Sequence, residues 1–130
     1  MLFPMNVFDL TRQLVDIESI TGNEAAVAEF LAGMLSTSGY HVELMPVEDR
    51  RFNVYATPSE AARPPLVFST HMDTVPPFIS SSEDEERIYG RGACDAKGII
   101  AAQIAAAQRL RSEGLAAGLL FLVGEERDSL

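Results

Sequence analysis

Two short, uninterrupted apolar runs constrain the fold of this chain more than any other feature. They span residues 66–69 (LVFS) and 119–123 (LLFLV), and the alanine-rich segment 97–113 lies between them. An apolar run without polar alternation predicts a strand that is covered on both faces. The alanine-rich segment predicts a helix that Gly114 ends. Buried strands that alternate with helices indicate an α/β fold, and we expect a three-layer arrangement in which helices flank a mixed, mostly parallel sheet.

The first half of the chain shows the periodicity of further helices and strands. Asn6 is a candidate cap for a first helix. Residues 21–24 (TGNE) are typical of a capping box, in which Thr21 and Glu24 satisfy free backbone N–H groups at the start of a second helix. Gly39 would end that helix. Alternating or short apolar patterns predict strands over 40–46, 52–56 and 87–90, and a solvated acidic loop over 80–86.

The bulk properties fit one domain or part of a larger one. Of the 130 residues, 47% are apolar, which is enough for a hydrophobic core. A net charge of −9 disfavours binding to nucleic acid, and no apolar run approaches the roughly 20 residues of a membrane helix. Cys94 is the single cysteine, so no internal disulfide forms. The apolar N-terminus lacks the basic segment of a signal peptide. We therefore expect a cytoplasmic protein that binds neither nucleic acid nor membrane.

Residues with metal-binding chemistry follow the first apolar run directly. His71 and Asp73 are two residues apart, so their side chains point the same way in an extended segment. In open α/β sheets, ligands bind beyond the carboxyl ends of the strands. A carboxylate at the position of Asp73 can hold the far N–H of the imidazole and orient His71 toward a metal. The alternative interpretation is an ordinary histidine that precedes a turn.

Two further acidic positions fit the same chemistry. Asp95 follows a glycine-rich turn and is either an ordinary helix cap or a carboxylate that bridges two cations. That turn lacks the spacing of a phosphate-binding loop. Glu125 and Glu126 follow the second apolar run, where their like charges repel unless a cation or water compensates. In a metal site, one would bind the ion and the other would accept a proton from water; otherwise both lie in a solvated loop.

The order and spacing of these motifs resemble a known family. Residues 69–76 (STHMDTVP), 90–92 (GRG) and 95–98 (DAKG), with the Glu-Glu pair after them, resemble the dinuclear zinc aminoacylases and exopeptidases. This family includes acetylornithine deacetylase, succinyl-diaminopimelate desuccinylase and carboxypeptidase G, and the resemblance covers about residues 6–130.

The resemblance implies a role for each residue of the predicted site. His71 would bind one of two zinc ions, for which cobalt or manganese are alternatives, and Asp73 would orient His71. Asp95 would bridge the two ions and would be followed by a cis peptide. Glu126 would bind the second ion, and Glu125 would be the general base.

The resemblance also implies the substrates and the size of the whole enzyme. Family members hydrolyse the amide bond of N-acyl amino acids or short peptides that carry a free carboxylate, and they form homodimers through an inserted domain. They supply a further acidic ligand and a second histidine ligand downstream of the Glu-Glu pair. We therefore expect residues 1–130 to be the N-terminal part of the catalytic domain, with little or no activity alone. His41, the second histidine, is expected on the surface of a strand.

Two other functions remain open from the sequence. Cys94 and His71 are the residue types of a thiol hydrolase, although the neighbouring carboxylate of Asp95 disfavours a thiolate nucleophile. A small residue that packs at a turn is the ordinary role of Cys94. The other possibility is a non-catalytic module that only folds, or that associates through an uncovered sheet edge.

Overall fold

A computed structural model of the chain describes residues 6–59 and 63–126, so the apolar N-terminus (1–5) considered above as a signal peptide lies outside the described residues. Within them, all three predicted helices are confirmed to within about two residues. The helices are α1 (Val7–Val15), α2 (Ala25–Thr37) and α3 (Gly98–Ser112). The strands are β1 (His41–Glu48), β2 (Arg51–Thr57), β3 (Leu66–His71), β4 (Ser82–Glu83), β5 (Ile88–Tyr89) and β6 (Ala117–Leu122).

Four of the strands form the main sheet, in the order β1-β2-β6-β3. β3 and β6 pair in parallel, with Phe68 opposite Leu119, and the crossover between them contains α3. β1 and β2 form an antiparallel hairpin, and β2 also pairs antiparallel with β6. The predicted mixed α/β sheet is therefore confirmed. Among the described strands, parallel pairing is confined to β3 and β6, because the hairpin enters the sheet in the opposite direction.

One hydrophobic core joins all three helices to one face of the sheet. The inward side chains of β2 and β6 alternate along each strand, as the pleat requires. Val54, Ala56, Leu119 and Phe121 are each 0% exposed. The helices contribute Leu10 and Leu14 from α1, Val27, Leu31 and Leu35 from α2, and Ile100 and Ile104 from α3. The packing of the helices positions the carboxyl ends of β3 and β6 on a rigid support.

The opposite face of β3 is not covered within the described residues. Val67 lies on that face and is 40% exposed, and Ser69 is exposed as well. The prediction that both faces of the 66–69 strand are buried is therefore wrong for the described part of the chain. The three helices form one layer and the sheet a second, so two of the three predicted layers are present among the described residues.

The start of α1 confirms one predicted cap, and the start of α2 contradicts the other. The Oδ1 atom of Asn6 accepts hydrogen bonds from the backbone N–H groups of Phe8 and Asp9. No side chain caps α2. Glu24 is instead fully buried against Arg51, because a buried carboxylate requires a charged or hydrogen-bonding partner. The hydroxyl of Thr21 turns away from the helix toward the site described below.

The remaining surface elements follow the sequence prediction with one change. The acidic segment 80–86 is mostly exposed, but Ser82–Glu83 in it pairs with Ile88–Tyr89 as a small two-stranded ribbon. The predicted short strand near residue 88 is thereby confirmed. His41 is exposed on β1, as expected. In the part of the chain described, no helix combines the length and apolarity needed to cross a membrane.

The core predicts a large difference between two leucines. We expect Leu119→Ala, at a fully buried position, to lower the free energy of unfolding by about 2–5 kcal/mol. Leu115→Ala removes the same atoms at a position that is 57% exposed and should change stability by less than about 0.5 kcal/mol. Urea unfolding followed by circular dichroism measures both. Equal losses from the two variants would contradict the assignment of the core.

Candidate metal centre

Three segments that are distant in sequence meet at the carboxyl ends of β3 and β6. The two strands are parallel neighbours, with His71 opposite Leu122, so the residues that follow β6 lie beside His71. The turn before α3 brings Asp95 to the same place. The imidazole Nε2 lies 2.8 Å from the nearest oxygen of Asp95, 3.5 Å from Glu125 and 3.7 Å from Glu126. The structure thus brings four of the predicted site residues together around one nitrogen.

Asp95 reaches the site because the chain makes a sharp turn before α3. Gly92 begins the turn with a φ of +90°, and a Cβ there would lie 2.7 Å from the side chain of Thr74. A side chain at this position is therefore excluded both by conformation and by space. Asp95 and Ala96 have non-helical backbone angles, and the peptide bond between them is cis, as the family resemblance implies. Asp95 precedes the first helical residue by three positions, so the interpretation as an ordinary helix cap is wrong.

The buried end of this turn is held by Lys97. Its side chain is 1% exposed, and its ammonium donates to the backbone carbonyl of Ile17 at 2.6 Å. Burial lowers the pKa of Lys97 to about 8, although the charge of Asp16 opposes this effect. The contact fixes the turn against the end of α1, and so it fixes the position of Asp95.

The orientation of the His71 ring is set by Asp73. The ring Nδ1 lies 2.9 Å from the backbone carbonyl of Asp73 and 3.2 Å from its carboxylate oxygen Oδ1. Both partners are acceptors, so Nδ1 carries the proton that is donated to them. Asp73 is 0% exposed, and the far nitrogen Nε2 therefore faces the other carboxylates in a fixed orientation.

The donor set fits a divalent cation. One ligand atom each from His71, Asp95 and Glu126 lie within 4.8 Å of one another, which is a separation that a single ion can span. One imidazole nitrogen and two carboxylate oxygens suit zinc, cobalt or manganese. Glu125 is 57% exposed at its side chain, compared with 17% for Glu126. The more exposed Glu125 is therefore free to face a substrate or a water molecule.

The electrostatics of the cluster also favour a cation. Burial lowers the pKa of His71, but the hydrogen bond that its ring donates to Asp95 and the negative charges of Asp73 and Glu125 outweigh this effect, so that the net pKa is raised. Desolvation, together with the adjacent carboxylate of Asp95, raises the pKa of Glu126. Neighbouring negative groups contribute to both shifts, and a positive ion among them would relieve their repulsion.

The remaining candidates lie outside this cluster. Cys94 is exposed, and both ring nitrogens of His71 are already engaged by aspartates, so the geometry disfavours a pairing of thiol and imidazole. His41 begins β1, which is separated from β3 by two strands, and its register partner is Thr57 at the end of β2. That position is at the opposite end of the sheet from the site.

Thr21 and Glu24 also contact the site, and these contacts are not predicted from the sequence. The hydroxyl of Thr21 donates to the carboxylate of Asp73 at 2.6 Å, and the carboxylate of Glu24 accepts from the backbone N–H of Gly124 at 3.0 Å. Both residues were assigned to a capping box, because residues 21–24 match that pattern locally. No spacing in the sequence indicates partners that lie 52 and 100 residues away.

Comparison with known proteins points to one family. Residues 67–129 match the profile of Peptidase family M20/M25/M40. A probable carboxypeptidase of Emericella nidulans is 49% identical over 128 residues, which cover 90% of this chain and 30% of that protein. A Peptidase M20 domain-containing protein of Schizosaccharomyces pombe is 42% identical over 132 residues, which cover 96% of this chain and 33% of that protein. The chain therefore spans about a third of the length of these curated relatives.

Solved structures share the fold. A tripeptidase of Staphylococcus aureus superposes with a TM-score of 0.77 at 26% identity, over 97% of this chain and 38% of that chain. A dinuclear metal binding peptidase of the M20 family from Bacillus subtilis superposes with a TM-score of 0.58 at 16% identity, over 92% of this chain and 35% of that chain, and this likeness concerns the fold alone. The family profile and the relatives together support the M20 metallopeptidase family for this chain.

The charges around His71 predict its titration in the metal-free chain. We expect NMR to give a pKa above the ordinary value of 6.5. The pKa of His71 is higher in the folded chain than in the unfolded chain, so protonation of the ring stabilises the fold. This stabilisation is complete at pH values below the pKa of the unfolded chain, and it is lost as the pH rises through the pKa of the folded chain. Asp95→Asn should lower the pKa of His71, because it removes the nearest negative charge.

The matched control for this titration is Glu113→Gln. Glu113 is exposed at the far end of α3, about 20 Å along the helix from the site. The Glu113→Gln substitution should therefore leave the pKa of His71 unchanged. An unchanged pKa in Asp95→Asn would contradict the electrostatic account of the cluster.

Proposed function

We propose that this chain contributes to a metal-dependent hydrolase that cleaves amide bonds in short peptides or N-acyl amino acids. The observation that carries the proposal is the cluster at the ends of β3 and β6. His71, Asp95 and Glu126 place three ligand atoms within 4.8 Å of one another, and Glu125 lies beside them. The M20 family profile over residues 67–129 supports the same reaction class.

In this proposal, His71, Asp95 and Glu126 hold the metal. Asp95 would be the ligand shared between two ions, as the family resemblance implies, because a carboxylate has two oxygens to offer. When bound, a divalent ion lowers the pKa of water to about 7 and polarises the substrate carbonyl. Asp73 keeps the Nδ1 proton of His71 in place, so that Nε2 is available as a ligand.

Glu125 acts as the general base. It is the more exposed of the two adjacent glutamates, and its backbone N–H donates a hydrogen bond to Asp73 at 3.1 Å. Its carboxylate accepts a proton from the attacking water and can return it to the leaving amine. A positioned carboxylate of this kind contributes about 10²–10⁴-fold to the rate.

The names of the similar proteins favour one of the two proposed substrate classes. One of the proteins reported above is described as a probable carboxypeptidase and another as a tripeptidase, and both names are those of peptidases. We therefore favour short peptides over N-acyl amino acids as substrates. The proposal further includes a cytoplasmic homodimer. Residues 1–130 form the N-terminal part of its catalytic domain and are inactive alone, because the further acidic and histidine ligands come from outside these residues.

Variants of the two glutamates separate their roles. In the full-length protein, we expect Glu125→Ala to lower kcat by about 10²–10⁴-fold while metal content is retained. Glu126→Ala should lose metal, because it removes a ligand. Turnover of a peptide panel and elemental analysis of the purified proteins measure the two effects. Glu113→Ala, at an exposed position, is the control. Loss of metal with Glu125→Ala and its retention with Glu126→Ala would reverse the assignment.

A chelator separates the metal proposal from a thiol mechanism. We expect EDTA to abolish amide hydrolysis by the full-length protein, and zinc or cobalt to restore it. Cys94→Ala should retain activity, because the thiol is exposed and has no part in the cluster. Inhibition by iodoacetamide together with insensitivity to EDTA would refute the metal proposal. Absence of hydrolysis in the full-length protein under all conditions would favour a non-catalytic module.

A further inference from the structure

The loop between α1 and α2 reaches the segment after β6 in two ways, directly through Glu24 and indirectly through Asp73. We propose that residues 21–24, here called the 21–24 clamp, hold the backbone of Glu125 and Glu126 in position. Thr21 and Glu24 are the positioning residues of this clamp. The inference rests on the proposed function for its catalytic meaning, but the structural contacts that carry it are independent of any metal.

The first arm of the clamp runs through Asp73. The hydroxyl of Thr21 donates to the Oδ2 atom of Asp73 at 2.6 Å, and the backbone N–H of Glu126 donates to the same oxygen at 2.9 Å. The other oxygen, Oδ1, accepts from the backbone N–H of Glu125 at 3.1 Å and faces the ring of His71. Since Asp73 is 0% exposed, water does not replace a donor that is removed.

The position of Thr21 is itself fixed by backbone contacts. Ile20 forms an isolated parallel bridge with Thr74, just beyond the end of β3. The backbone N–H of Thr21 donates to the carbonyl of Thr74 at 3.2 Å, and that of Thr74 donates to Ser19 at 2.9 Å. The hydroxyl of Ser19 adds a bond to the carbonyl of Met72 at 2.9 Å. The Thr21 hydroxyl is therefore presented to Asp73 by a rigid segment.

The second arm of the clamp is the carboxylate of Glu24. Its Oε2 atom accepts from the backbone N–H of Gly124 at 3.0 Å and from Arg51 at 2.9 Å. Its Oε1 atom accepts from Arg51 at 2.9 Å and from the backbone N–H of Gly22 at 3.1 Å. Glu24 is 0% exposed, so the pair with Arg51 neutralises a charge that solvent cannot screen.

The two arms together hold three consecutive backbone N–H groups. Gly124 donates to Glu24, and Glu125 and Glu126 donate to Asp73. A catalytic group must be held to within about 0.5 Å of its working position. The two glutamate side chains leave the backbone at these fixed points, so the clamp determines how they approach His71. Removing a residue that orients a ligand typically costs about 10–100-fold in metal affinity or activity.

A metal-free measurement tests the clamp directly. In the chain, Thr21→Val removes the hydroxyl at nearly constant volume, and Thr21→Ser retains it. We expect the backbone amides of Glu125 and Glu126 to exchange hydrogen at least about tenfold faster in Thr21→Val than in the wild type, when each rate is normalised to that of the Phe121 amide in the core. Thr21→Ser should exchange like the wild type, and so should Thr37→Val, the same change at an exposed position. Wild-type exchange of both glutamate amides in Thr21→Val would overturn the clamp.

A cobalt titration then separates the clamp from the proposed function. We expect Co²⁺ to give a visible absorption spectrum with the full-length wild-type protein. Thr21→Val should weaken the Co²⁺ affinity by about 10–100-fold, and Thr21→Ser should retain it. An equal Kd and an identical spectrum in Thr21→Val would also overturn the clamp. Failure of the full-length wild-type protein to bind Co²⁺ would instead count against the metal site, and the exchange measurement would still decide the clamp.

Glu24→Gln provides a second, independent variant. It keeps the shape of the side chain but removes the charge that pairs with Arg51. We expect faster exchange at the Gly124 amide, again relative to Phe121, with retained helical circular dichroism. If this variant does not fold, Glu24→Asp replaces it, because the shorter side chain keeps the charge but withdraws from the Gly124 N–H. Unchanged exchange at Gly124 in a folded Glu24→Gln would show that the second arm does not hold the loop.

Discussion

A buried carboxylate, that of Asp73, joins the loop after α1 to the ends of the two parallel strands that form the site. It accepts hydrogen bonds from the loop after α1, from the end of β6 and from the imidazole at the end of β3. A carboxylate without solvent is stable only when such donors surround it. The position of the site therefore depends on the loop between the first two helices as much as on the parallel strands. The complete set of donors to Asp73 thus requires the loop after α1 to be in place.

The sequence predicted the parts of this arrangement that follow from local pattern. Two apolar runs identify β3 and β6, and polar residues directly after parallel strands must lie at one rim, so His71 and Glu126 were expected to meet. The partners of Thr21 and Glu24 were not predictable. Their bonds join residues 52 and 100 positions apart, and residues 21–24 match a capping pattern equally well. The exposed face of β3 was missed as well, because an apolar run does not reveal which neighbours cover it.

The buried pair of Glu24 and Arg51 explains how a capping pattern serves another purpose. A carboxylate near a helix start normally gains from the helix dipole and from solvent. Here Arg51 enters from β2 and withdraws Glu24 from the helix terminus, so that its oxygens meet the backbone of Gly22 and Gly124. The local preference of residues 21–24 is thus outweighed by a charge contributed from a different strand. Tertiary contacts of this kind override local propensity wherever a charged partner is buried with the segment.

The two aspartates nearest His71 have opposite surroundings, and this difference separates their functions. Asp73 is fully buried, and backbone and hydroxyl donors satisfy its carboxylate without a cation. Asp95 has a side chain that is 70% exposed, and it faces His71 and the acidic pair. Negative charge is compensated at the first position by buried hydrogen bonds, whereas at the second the single imidazole is shared among three carboxylates. A divalent ion would consequently be attracted to the outer side of the imidazole, where Asp95 lies, while Asp73 keeps the ring oriented from behind.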